Sequence, residues 1–99
     1  PDAIFCSGDI NTMGALDAAR KLGRDIGETL SIAGFDAPCG MELPPYGITA
    51  LRQDTGQLAR DAVQILKRMI DTDDRSPVVV TRPMELVVRT STRPHPTEK

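Results

Sequence analysis

Ninety-nine residues make one small domain, and a chain of that size buries only about 60–70% of its unfolded surface. Composition is globular, with 39% hydrophobic and 26% charged residues, and the formal net charge of −2 suggests no nucleic-acid-binding surface over the chain as a whole. No apolar run approaches the roughly 20 residues that span a bilayer, and no secretory leader is legible, so no membrane is expected and the compartment expected is the cytoplasm.

The chain opens with Pro1-Asp2 and no Met, so it is expected to be a piece of a longer protein. Ala3–Ser7 reads as a short buried strand. A helix follows from about Ile10 to Leu22, with Ala15, Ala19 and Leu22 at helical spacing. Gly23 is suited to end it in a left-handed conformation, and Arg24–Thr29 is a loop. Leu30–Phe35 is a second buried strand and, like the first, runs into glycine and aspartate. The stretch "PCGMELPPYG" excludes regular structure through its adjacent prolines. Ile48–Gln53 is a third strand.

Asp54 or Thr55 caps a second helix over about Gly56–Asp71. Leu58, Ala62, Ile65, Leu66, Met69 and Ile70 form its apolar stripe, while Arg60, Asp61, Gln64, Lys67 and Arg68 cover the other side. "DTDDRSP" is a solvated turn. Val78–Thr81 and Glu85–Arg89 are two strands broken at Pro83, and "RPHPTEK" is a disordered tail. The order β-α-β-loop-β-α-β-β implies an α/β fold, a parallel sheet flanked by helices. In such sheets ligands sit beyond the carboxyl ends of the strands. That rule sends Ser7–Asp9 and Asp36–Ala37 to one functional edge.

Enzyme chemistry finds no support. Ser7 has no histidine partner in the ordered stretches, and neither GxSxG nor GxxxxGKS occurs. Asp9 repels phosphate from the start of the first helix, where an anion site would otherwise form. Cys6 and Cys39 form no CxxC and have no histidine nearby; Cys6 reads as a small buried hydrophobe, and no disulfide is expected. His95 falls in the tail and suggests neither metal nor catalysis. No cofactor is called for.

Taken in order, "PDAIFCSGDINTMGALDAARKLG", "SIAGFD", "ITALRQD" and "PMELVVRTST" resemble the carboxyl-terminal part of the effector-binding domain of lactose-repressor/galactose-repressor family transcription regulators, over about residues 1 to 92. The resemblance implies a partial periplasmic-binding-protein-like fold of type I. It implies a small effector, sugar or nucleobase, held between two lobes, and a homodimer using helix 10–22 and the loop near Cys39–Glu42. DNA would be read only by an amino-terminal helix-turn-helix outside this chain. Residues 1–53 would belong to the carboxyl-terminal lobe and 54–82 to the amino-terminal lobe. Residues 83–92 would return to the first, leaving 93–99 as tail. On this path the second helix exposes its stripe unless another chain covers it. The alternative is part of a periplasmic sugar-binding protein with the same lobes.

The resemblance also supplies the site. Asp36 takes the place of a carboxylate that accepts hydrogen bonds from effector hydroxyl or ring N–H groups; the other reading is a loop aspartate stabilising its own turn. Asp9 is read as a helix N-cap accepting from Asn11 or Thr12, with ligand contact as the alternative. Gly8 stands where many relatives carry Asn, and would let backbone or ligand approach closely. Ala37 replaces a second Asp of many relatives. Tyr46 is read as packing on the surface in preference to stacking on a sugar. Gln53 and Asp54 mark a crossover between lobes.

Overall fold

The computed structural model describes residues 1–36, 40, 43 and 46–94. The chain divides into two compact units: Pro1–Arg52 with Glu85–Lys99, and the continuous insert Gln53–Met84.

The first unit is built on strands β1 (Ala3–Cys6), β2 (Ser31–Phe35), β3 (Thr49–Arg52) and β4 (Glu85–Val87), with helix α1 (Asp9–Lys21) between β1 and β2. The sheet order is β1-β2-β3-β4. Pairing is parallel for β1 with β2 and β2 with β3, and antiparallel for β3 with β4. The fold is thus α/β with a mostly parallel sheet. Helix α1 packs on β1 and β2. Its contribution to the core is Leu16 and Ala19, against Cys6, Leu30, Ile32, Ile48 and Ala50. Strand alternation turns Phe5 and Leu86 to the other face, where they are 62% and 59% exposed.

Helix α1 stops as its sequence demands. Gly23 takes φ +70, its N–H donates to the Arg20 carbonyl, and the Arg24 N–H donates to the Ala19 carbonyl. These two bonds close a Schellman motif. Gly27 is equally constrained: its φ is +89, and a β-carbon there would collide with the Thr90 carbonyl oxygen.

Ser91 seals the amino-terminal ends of β2 and β3. Its hydroxyl accepts from the Thr49 N–H at 2.9 Å and donates to the Ile32 carbonyl. Its own N–H donates to the Gly47 carbonyl, and its carbonyl accepts from the Ile32 N–H. Four backbone groups that sheet pairing leaves unpaired are satisfied by one residue that is 1% exposed. Arg93, read in the sequence as the start of a free tail, donates its N–H to the Ser31 hydroxyl and a guanidinium N–H to the Glu28 carbonyl. His95 and the residues after it lie outside the described residues.

The second unit holds α2 (Thr55–Thr72) and a non-helical return. Asp54 caps α2, accepting from the Gln57 N–H at 3.0 Å. Val78–Thr81, expected as a strand, pairs with nothing among the described residues. A strand is defined by a neighbour, and the described residues of this unit provide no second strand. Asp61, expected on the solvated side, is the buried residue of α2. Its carboxylate accepts from Arg82 Nε and one terminal nitrogen at 2.7 Å each, and from the Gln57 side-chain amide at 2.8 Å. The apolar stripe is largely uncovered, with Leu58, Leu66 and Ile70 exposed. Among the described residues no helix is long and apolar enough to cross a membrane.

Candidate functional site

Parallel pairing fixes which residues meet at the carboxyl ends of the strands. Cys6 is the register partner of Gly34, and Phe35 is the partner of Leu51. The turn Ser7-Gly8-Asp9 and Asp36 therefore leave adjacent strands on the same edge of the sheet. Asp36 N–H donates to the Leu51 carbonyl at 2.8 Å, tying that corner to β3. The backbone at Asp36 is left-handed, with φ +59, a conformation that Asp and Asn tolerate better than other non-glycine residues.

Helix α1 begins differently from the expectation. Gly8 is the N-cap and provides no side-chain cap; Asp9 is the first helical residue. The Asp9 Oδ1 accepts from the N–H of Ile10 at 2.8 Å and caps neither Asn11 nor Thr12. The Thr12 N–H goes to the Gly8 carbonyl at 3.0 Å. With glycine one residue earlier occupying the cap, the carboxylate shifts into the first turn, where its charge still suits the positive end of the helix.

The close approach expected of Gly8 is also absent among the described residues. Its φ of −156 is ordinary extended backbone, and a β-carbon there would meet nothing within 4 Å. What Gly8 leaves is open space beside Asp9. Ala37 and Cys39 lie outside the described residues, as does Glu42. Cys6 is a buried free thiol. Tyr46 is half-buried against the core, with the Arg20 guanidinium 4.7 Å from its ring centre.

Two residues that shape this edge were not singled out in the sequence. Thr12 is fully buried, and its hydroxyl donates to the Gly8 carbonyl at 2.7 Å. It lies over Gly34, two residues before Asp36. The signal available was a glycine inside an apolar strand, which marks a close approach. The second is Arg52 at the end of β3, whose guanidinium meets the Glu85 carboxylate at 2.6 Å. That cation is neutralised by Glu85. The edge thus presents hydroxyl, amide and carboxylate groups from Ser7, Asn11, Asp9 and Asp36, suited to polar solutes with donors to give. Among the described residues no group of three His, Cys, Asp or Glu side chains could hold a metal ion.

The sequence model of the periplasmic binding protein-like domain matches residues 1–92. The HTH-type transcriptional repressor PurR of Serratia proteamaculans is 33% identical over 92 residues, covering 92% of this chain and 27% of the relative. The HTH-type transcriptional regulator MalR of Clostridium butyricum is 37% identical over 92 residues, covering 90% of this chain and 26% of the relative. Among solved structures, a complex of the transcriptional regulator CelR with cellobiose superposes with a TM-score of 0.82 at 28% identity, covering 91% of this chain and 28% of that one. The chain thus spans little more than a quarter of the length of the curated relatives it matches.

Proposed function

From the premise that this chain belongs to the periplasmic binding protein-like domain family, we propose that it is the carboxyl-terminal part of the effector-binding domain of a transcriptional repressor of the lactose/galactose-repressor type. Residues 1–53 belong to the carboxyl-terminal lobe, 54–82 to the amino-terminal lobe and 83–92 to the first again, a path supported by the division of the chain into Pro1–Arg52 with Glu85–Lys99 and the insert Gln53–Met84. A small effector, sugar or nucleobase, is bound at the edge formed by Gly8, Asp9 and Asp36, with the other wall provided by residues outside this chain. Homodimer contacts use α1 and the loop near Cys39–Glu42. DNA is read by a helix-turn-helix outside the chain, and the protein works in the cytoplasm without enzymatic chemistry. The names of the relatives, repressors and regulators of the HTH type, support the regulatory reading over solute transport.

The observation that carries this reading is the register of β1 and β2. Cys6 beside Gly34 brings the Gly8 turn and Asp36 to one rim, beyond the carboxyl ends of parallel strands, where open α/β sheets bind ligands. The Asp36 carboxylate accepts hydrogen bonds from effector hydroxyl or ring N–H groups; Asp9 stands at the mouth of the same rim.

The test is calorimetric titration of the complete protein with a panel of sugars and nucleobases, followed by Asp36→Ala and Asp36→Asn. Loss of a charged acceptor weakens binding by about 1–3 kcal/mol. Asn tolerates the left-handed backbone, so it separates the carboxylate's role from the turn's. Affinity unchanged in both variants makes Asp36 a turn residue and removes the site.

A further inference from the structure

The first unit carries a cavity at its other edge, where α1 ends and Ser91 joins the amino-terminal ends of β2 and β3. Its volume is about 280 Å³, just below the range of about 300–1,000 Å³ usual for small-molecule sites. Its apolar part is Leu16, fully buried, and Ile26, half-buried. Tyr46 adds an aromatic ring, supported by the Arg20 guanidinium 4.7 Å from its centre. Thr90 is seated between two glycine turns: a β-carbon at Gly27 would collide with its carbonyl oxygen, and one at Gly47 with its hydroxyl.

Two polar groups line the same space with bonding capacity left. Arg24 gives one guanidinium N–H to the Pro1 carbonyl at 3.2 Å, and a guanidinium carries five such donors. Among the described residues no carboxylate pairs with it. The Thr90 hydroxyl donates to the Gly47 carbonyl at 3.5 Å, long against the usual range of about 2.5–3.0 Å for such a bond. A better acceptor entering the cavity would take that proton's bond at little cost.

We propose that this cavity is a second binding site, for a small organic carboxylate with an apolar body about one ring in size. The planar fork of Arg24 matches the two carboxylate oxygens, and the Thr90 hydroxyl donates to one of them. The body lies against Leu16, Ile26 and the Tyr46 ring, which favours a flat partner. A bare phosphate ion is a poorer match, since it leaves the apolar half of the cavity unfilled. Arg20 enters only as the support of Tyr46. The site lies at the opposite edge of the sheet from Gly8 and Asp36, and nothing in it depends on which solute binds there.

Saturation-transfer NMR on the complete protein tests it, with benzoate as the probe and benzamide, similar in shape but uncharged, as the control. Benzoate is expected to bind saturably and about 10- to 100-fold more tightly than benzamide, the range of hydrogen bonds to a charged group. Arg24→Gln lowers benzoate to the level of benzamide. Arg24→Lys, which keeps the charge and loses the fork, falls between. Thr90→Val weakens benzoate about 2- to 10-fold. Inorganic phosphate at equal concentration does not displace benzoate, and Asp36→Asn leaves its affinity as it was. No saturable binding of benzoate, or equal affinity for benzoate and benzamide, overturns the proposal on the unsubstituted protein, whatever the variants do. So does an affinity untouched by Arg24→Gln, or displacement by phosphate. A loss in Asp36→Asn equal to that in Arg24→Gln would place the probe at the other edge and overturn it as well.

Discussion

Thr12 of α1 and Gly34 of β2 meet with no room for a β-carbon between them: one built on Gly34 would lie 2.5 Å from the Thr12 hydroxyl oxygen and 3.2 Å from its methyl group. Because Thr12 also bonds to the Gly8 carbonyl, this contact sets how the start of α1 sits over the strand that ends in Asp36. Gly34→Ala is expected to destabilise the chain by about 1–3 kcal/mol through overpacking, measured by urea unfolding. Adding Thr12→Ala makes room for the new methyl group, so the double variant should lose less than the sum of the singles. Strict additivity would mean the two residues do not share this space.

Ser91→Ala removes the hydroxyl that joins β2 to β3. The Thr49 N–H and the Ile32 carbonyl then stay buried without that partner, at a cost of about 1–3 kcal/mol. Equilibrium unfolding gives the magnitude, and faster amide exchange at Thr49 locates it. A variant as stable as the parent would show that water replaces the hydroxyl.

Asp61 gives the chain a defined response to acid. Its hydrogen bonds from the Arg82 guanidinium, then from Gln57, hold its carboxyl below the ordinary carboxylate value, which is about 3.9. The folded state therefore takes up this proton less readily than the unfolded state. The pair's contribution to stability is complete above the ordinary value and is lost as pH falls through the lowered one. A carboxyl NMR titration should place Asp61 below the ordinary carboxylate value, and Arg82→Gln should raise its midpoint. An Asp61 midpoint that ignores that substitution would dissociate the shift from the ion pair.

Leu66 and Ile70 are 59% and 71% exposed on α2, on the stripe that the lobe reading assigns to a lobe completed by other residues. The chain by itself is expected to self-associate through this stripe, because large exposed apolar faces drive association. Light scattering should show an average mass rising with concentration, and Leu66→Lys with Ile70→Lys should lower it. A concentration-independent monomer would count against the reading.

Much of the first unit could be read from periodicity and punctuation. Helix α1 and its glycine stop follow from local rules, since each rests on contacts or torsions close in sequence, and strand β2 was legible from its short apolar run alone. Asp54 as the cap of α2 is local in the same way. The failures share a cause in distance or competition. Val78–Thr81 has strand-forming residues, yet a strand also needs a partner. Asp61 looked solvated because Arg82 is 21 residues away. Asp9 looked like a cap because nothing local reveals that Gly8 takes that place. The edge carrying Gly8 and Asp36 was legible as an edge, because parallel order dictates it; the left-handed turn at Asp36 and the Thr12 contact behind it were not.

The Ser91 bridge has a consequence for biosynthesis. Ser91 is made 59 residues after Ile32, yet it completes the seam between the second and third strands. Until Ser91 has been made, the leading ends of those strands lack that partner. Closure must wait for the far end of the message, so a stalled or shortened transcript yields a sheet with an unfastened margin, the sort of intermediate that chaperones retain.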